Sequence, residues 1–100
     1  MFIHHVYFWQ KTGTSETARQ QLIDDCKTLL AQIPTVRHLW AGPPAMTPRD
    51  VVDNSYSVGL CVVLDDSAGH DVYQSHPSHL EFIARNKMHW EGVRVYDFNS

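Results

Sequence analysis

The sequence predicts an α+β fold in which four antiparallel strands form one sheet and helices cover one of its faces. Three observations carry this. Phe2 to Gln10 is dense in β-branched and aromatic residues, an amphipathic stripe runs from Ala18 to Ile33, and Tyr56 to Leu64 is a strong strand signal followed by helical pieces and a closing strand. The resulting order, β-α-β-β-α-β, is the split arrangement of ferredoxin-like folds. One hundred residues with 43% hydrophobic content suffice for one core, so residues 1–100 read as one domain.

Each element has a local reason. Lys11-Thr12-Gly13 breaks the first strand, and Thr14 or Ser15 caps the following helix, with Glu16 where the helix dipole favours an anion. Ala18, Leu22, Cys26, Leu29 and Ile33 recur at spacings of three or four, widened by Ile23 and Leu30, while Arg19, Gln20, Asp24 and Lys27 stay outside the stripe. Pro34 ends the helix, and Val36 to Gly42 forms a second strand. Pro43 to Ser55 has three prolines and no period, and reads as a loop. After the third strand, Asp65-Asp66-Ser67 supplies a turn and cap for a helix reaching about Ser75. Pro77 suits the first turn of a further helix carrying Leu80, Phe82, Ile83 and Met88, and after Gly92 the fourth strand runs from Val93 to Phe98.

The strands are apolar on both faces. Ile3, Tyr7 and Trp9 oppose Val6 and Phe8; Val58, Leu60, Val62 and Leu64 oppose Cys61 and Val63. Helices of one chain cover one face only, so the expected cover for the other is a second copy, making a homodimer. The rival reading is a monomer with scattered surface hydrophobics.

A net charge of −3 and a pI near 6.1 offer no basic stripe, which argues against a nucleic-acid partner. No run approaches the ~20 apolar residues of a membrane span, and Met1-Phe2-Ile3-His4-His5 lacks the marks of a secretory signal, so a cytoplasmic protein with no membrane partner is expected. Cys26 and Cys61 are too far apart for a zinc or redox motif and read as buried thiols.

Seven histidines are many for this length. His4 and His5 are adjacent in a strand, so their rings face opposite ways and cannot chelate one ion together. By parity His5 joins Ile3, Tyr7 and Trp9, the set assigned here to the helix-covered face. Tyr73-Gln74-Ser75-His76-Pro77-Ser78-His79 places a phenol and two imidazoles at a junction of helices. His76 and His79 have no neighbouring Cys or Glu to complete a ligand set, so neither a metal nor another cofactor is expected, and His76 suits a helix cap. Tyr73 and His79 read either as a polar core edge or as a site.

Several segments carry a family resemblance: Ile3-His4-His5-Val6, Thr12-Gly13-Thr14-Ser15, Ile33-Pro34-Thr35-Val36, Tyr73 with His76-Pro77-Ser78-His79, and Trp90 with Val93-Arg94-Val95-Tyr96-Asp97-Phe98. Together they resemble the stress-responsive dimeric α/β-barrel (Dabb) family over nearly the whole chain. The loop from Pro43 to Asn54 departs from it, and Ser57 stands where many members carry aspartate. The resemblance implies a ferredoxin-like protomer whose sheet packs on its partner's. A plant member closes a linear polyketide by aldol chemistry with a tyrosine and two histidines, whose positions fall by motif on His5, Tyr73 and His79.

Such a closure needs a base beside a carbonyl and a donor for the developing oxyanion, roles suited to imidazole and phenol. The resemblance thus implies His79 as base, His5 as its partner and Tyr73 as donor, with Tyr7, Trp9, His76, Phe82 and Trp90 as ligand-binding candidates. The expected function is binding of a small, partly apolar, carbonyl-bearing molecule, with aldol-type or proton-transfer chemistry on it. The alternatives are a non-catalytic stress-responsive oligomer, in which Trp9, Trp90 and Phe82 fill the cavity, and a cofactor-free monooxygenase, which rests on fold analogy.

Overall fold

The computed structural model describes residues 1–100. The elements run β1 (Phe2–Gln10), α1 (Glu16–Thr28), β2 (Val36–Gly42), β3 (Val58–Leu64), α2 (Ser67–Ser75), α3 (Pro77–Asn86) and β4 (Trp90–Asn99). The sheet order is β2-β3-β1-β4 with every neighbouring pair antiparallel, and the helices pack on one face, giving the ferredoxin-like arrangement. No helix is long and apolar enough to cross a membrane.

The caps follow local chemistry. The Ser15 side chain accepts the Ala18 amide at 3.1 Å, and Asp66 accepts that of Gly69 at 2.8 Å. His76 is extended between α2 and α3, and its Nδ1 accepts the Ser78 amide at 3.0 Å while Pro77 opens α3. The first helix stops sooner than its stripe implies: α1 ends at Thr28 and a 3₁₀ turn covers Leu30–Gln32. Ile33, extended ahead of Pro34, cannot continue a helix. The stripe still buries Leu22, Ile23, Cys26, Leu30 and Ile33. Burial pushes the Cys26 thiol up to about 12, so it stays protonated and unreactive.

On the sheet, Val6 and Phe8 of β1 join Val58, Leu60, Val62 and Leu64 of β3 under the helices, each buried. Full burial of such side chains stabilises by about 1.5–3 kcal/mol apiece. Asp25 ties α1 to α3, accepting from Arg85 Nε at 2.8 Å and Asn86 Nδ2 at 2.9 Å. The closing strand is longer than expected, reaching back to Trp90, because Gly92 pairs with Trp9 beside a register shift, beyond which Trp90 pairs with Gln10, rather than breaking the ladder. β3 begins at Val58 rather than Tyr56, since Tyr56 turns its ring against Tyr7 on the open face, with centroids 4.9 Å apart.

Candidate functional site between sheet and helices

The one-residue break at His76 leaves a corner between α2 and α3, and β1 and β4 run beneath it. There a cavity of about 140 Å³ is lined by His4, Tyr73, His79, Phe82, Trp90, Val93 and Val95, among others. Tyr73, 1% exposed, sits between two imidazoles, edge-on to His4 with centroids 5.7 Å apart and to His79 at 4.8 Å. His79 Nδ1 and Trp90 Nε1 are buried and have no hydrogen-bond partner within the protein. Orphaned polar atoms in a cavity wall are costly unless a ligand or water meets them.

Each titratable group has a shifted balance. Burial lowers the His79 pKa, the neighbouring His4 and His70 add to this, and the Gln74 backbone opposes it. His4 is likewise lowered by burial, against the raising effect of its hydrogen bond to Asp97; Nδ1 and Oδ1 lie 2.6 Å apart. Both imidazoles are therefore neutral at neutral pH. Burial pushes the Tyr73 phenol above its usual range, so it remains a hydroxyl donor.

The trio expected from sequence is corrected at one position. His5 does not face the helices: it points to the opposite face, edge-on to Tyr7 and Phe98, and lines a groove with Trp40 and Cys61. His4, 3% exposed, takes the place beside Tyr73. The register explains this. The aliphatic set of β3 faces the helices, and its Val62 pairs with His4, as Leu60 does with Val6 and Val58 with Phe8. Among the ligand-binding candidates, Phe82 and Trp90 line the cavity, whereas Tyr7 and Trp9 lie on the open face in a larger groove of about 660 Å³. The His76 ring is engaged as a cap.

Sequence reasoning missed Asp97 and His70. Asp97 pairs with His4 across β1 and β4, and the His70 ring lies 4.6 Å from that of His4. For His4 itself the available signal was the Val6 and Phe8 parity, continued back along β1.

A ferredoxin-like protomer with one open sheet face and a histidine–tyrosine cavity beneath its helices defines a class of small α/β-barrel proteins. The chain belongs to the Dabb family, whose model, Stress Responsive A/B Barrel Domain, matches residues 3–100. Comparison with curated protein sequences finds no match. Among solved structures, a dimeric ferredoxin-like protein of unknown function from Thermobifida fusca is 20% identical with a TM-score of 0.84, covering 99% of this chain and 90% of that one. A Dabb family protein with a ferredoxin-like fold from Mesorhizobium loti is 23% identical with a TM-score of 0.79, covering 99% of this chain and 95% of that one. A hydroxynitrile lyase from Passiflora edulis is 20% identical with a TM-score of 0.81, covering 97% of this chain and 90% of that one. At these identities the likeness establishes the fold.

Proposed function

We propose that the cavity between α2, α3 and the sheet binds a small carbonyl-bearing molecule and that His79 moves a proton on it. The observation that carries this reading is that two of the three unpartnered buried side-chain atoms, His79 Nδ1 and Trp90 Nε1, belong to residues that line one cavity with Tyr73. Neutral His79 takes the proton beside the carbonyl, and the Tyr73 hydroxyl donates to the oxygen as it gains charge. Asp97 accepts from His4 Nδ1 and fixes the ring, leaving Nε2 as an acceptor. The cavity volume of about 140 Å³ limits the ligand to a few heavy atoms unless Phe82 or Trp90 moves. That bound suits aldol-type or lyase-type chemistry on small aldehydes, ketones and their adducts, in keeping with a lyase among the structural neighbours.

The reading includes a homodimer formed through the open face, supported by the exposure of Trp40, Tyr96 and Phe98 there and by a neighbour described as dimeric. It also includes a cytoplasmic setting, which suits two unpaired cysteines.

The test is a screen of small carbonyl compounds by ligand-observed NMR, followed by turnover assays on the binders. His79→Ala should lower the rate ~10²–10⁴-fold with the fold intact, and Tyr73→Phe should lower it less. A second reading, a non-catalytic oligomer, draws on Phe82 and Trp90 packing into the same space with centroids 6.0 Å apart. It is preferred if no compound binds and His79→Ala mainly lowers the melting temperature.

A further inference from the structure

His4, Asp97 and His70 come from β1, β4 and α2, three elements whose side chains meet beside the cavity-lining His4. One donor atom from each lies within 4.8 Å of the others, and His4 Nδ1 is 2.6 Å from Asp97 Oδ1. Two imidazoles and one carboxylate form a set that suits first-row divalent ions of the zinc type. We propose that this triad is a binding site for such an ion.

The geometry needs modest adjustment. Tetrahedral zinc with bonds of about 2.0–2.2 Å holds adjacent donors roughly 3.3–3.6 Å apart. The His4–Asp97 pair must open slightly, and His70 must close. His70 is held by side chains alone: its ring rests on Phe2, with centroids 4.5 Å apart, on Tyr73 at 6.1 Å and on the Gln74 side chain at 2.8 Å. His4 is the fixed member, its side chain 4% exposed, while the Asp97 side chain at 35% gives an ion a path from solvent. A buried imidazole sharing a carboxylate on an otherwise apolar face is costly to desolvate, and metal ligation is one use that repays it. Three protein ligands leave a fourth position for water or a small ligand. Ligation through His4 Nδ1 would replace its hydrogen bond to Asp97. The proposal stands apart from the carbonyl reading, because its readout is metal affinity alone.

The experiment titrates Zn²⁺ into the full chain against a chromophoric chelator. One ion per chain is expected, and His70→Ala and Asp97→Asn should each weaken binding more than about tenfold, the lower end of what losing even an outer partner costs. His38→Ala and His89→Ala should bind as the unaltered protein does. In a parallel measurement, Co²⁺ added to the unaltered protein should show the intense visible absorption of a four-coordinate ion. The proposal is overturned if His70→Ala, folded by circular dichroism, binds Zn²⁺ undiminished, if His38→Ala or His89→Ala abolishes binding, or if Co²⁺ shows only its aqueous spectrum.

Discussion

The two faces of the sheet solve the burial problem differently. Under the helices, Val6, Phe8, Val58, Leu60, Val62 and Leu64 are no more than 6% exposed, whereas Trp40, Tyr96 and Phe98 on the other face are each more than half exposed. The covered face is mostly aliphatic and is closed within one chain over β1 and β3. The open face is aromatic, and Trp40 and Tyr96 there carry a polar handle that tolerates water. The cavity lies where the first solution runs out. Val93 and Val95 of β4 point to the helix side yet remain 47% exposed, because α2 and α3 part at His76 before reaching the edge strand. Chemistry-bearing side chains thus collect at the seam between a finished core and an unfinished edge.

The contrast breaks most visibly in the core. Phe8→Ala removes a ring that is 2% exposed and packed on Phe82 and Trp90, and should cost about 3–5 kcal/mol in chemical denaturation. A loss below about 1 kcal/mol would mean that the covered face is not the core. On the open face the expected effect moves from folding to association. Tyr96→Glu places a charge where a partner sheet would dry it, so light scattering should fall from twice the 11.5 kDa chain mass to the chain mass, with the protomer still folded. An unaltered protein that already scatters as a monomer removes the open face from consideration as an interface.

The element order was legible because each boundary has a local cause: Pro34, the Asp66 cap and the His76-Pro77 break act through neighbours in sequence. The meeting of Tyr73 and His79 at one helix junction was legible for the same reason. The side of the sheet was harder to read. Parity separates His4 from His5, but choosing which set faces the helices depends on the β1–β3 register, and β3 is more than 50 residues away. The aliphatic run Val58, Leu60, Val62 and Leu64 held that answer, since the drier set belongs in the core and the Tyr7–Trp9 set does not. Asp97 and His70 were hidden because their partner is reached only across strands or from a helix above the sheet, and no spacing along the chain records that.

The covered face should also make stability depend on pH. Burial holds His4 and His79 below the ordinary histidine value of 6.5, so as pH falls past about 6.5 the unfolded chain takes up protons that the folded chain refuses. Stability is therefore fully present above that value and declines below it until the folded imidazoles themselves titrate. Melting temperature measured from pH 8 to pH 5 should fall over the acidic half. His79→Gln should flatten the fall, and an unchanged slope would place the titration elsewhere.

The smallest effect is the sharpest test of the contrast. Trp40 is 60% exposed and stacks on His38 at the outer strand β2, with centroids 5.7 Å apart. Within the lone protomer, Trp40→Ser should change stability by no more than about 0.5 kcal/mol, as surface substitutions do. If the proposed dimer covers β2, the same ring is buried in it, and association stabilises the folded state more as concentration rises. Melting curves at nanomolar and at tens of micromolar protein separate the two cases: a deficit appearing only at the higher concentration places β2 inside the interface. An equal deficit at both would make Trp40 part of the protomer's own support, and no deficit at either would confine the interface to β1 and β4.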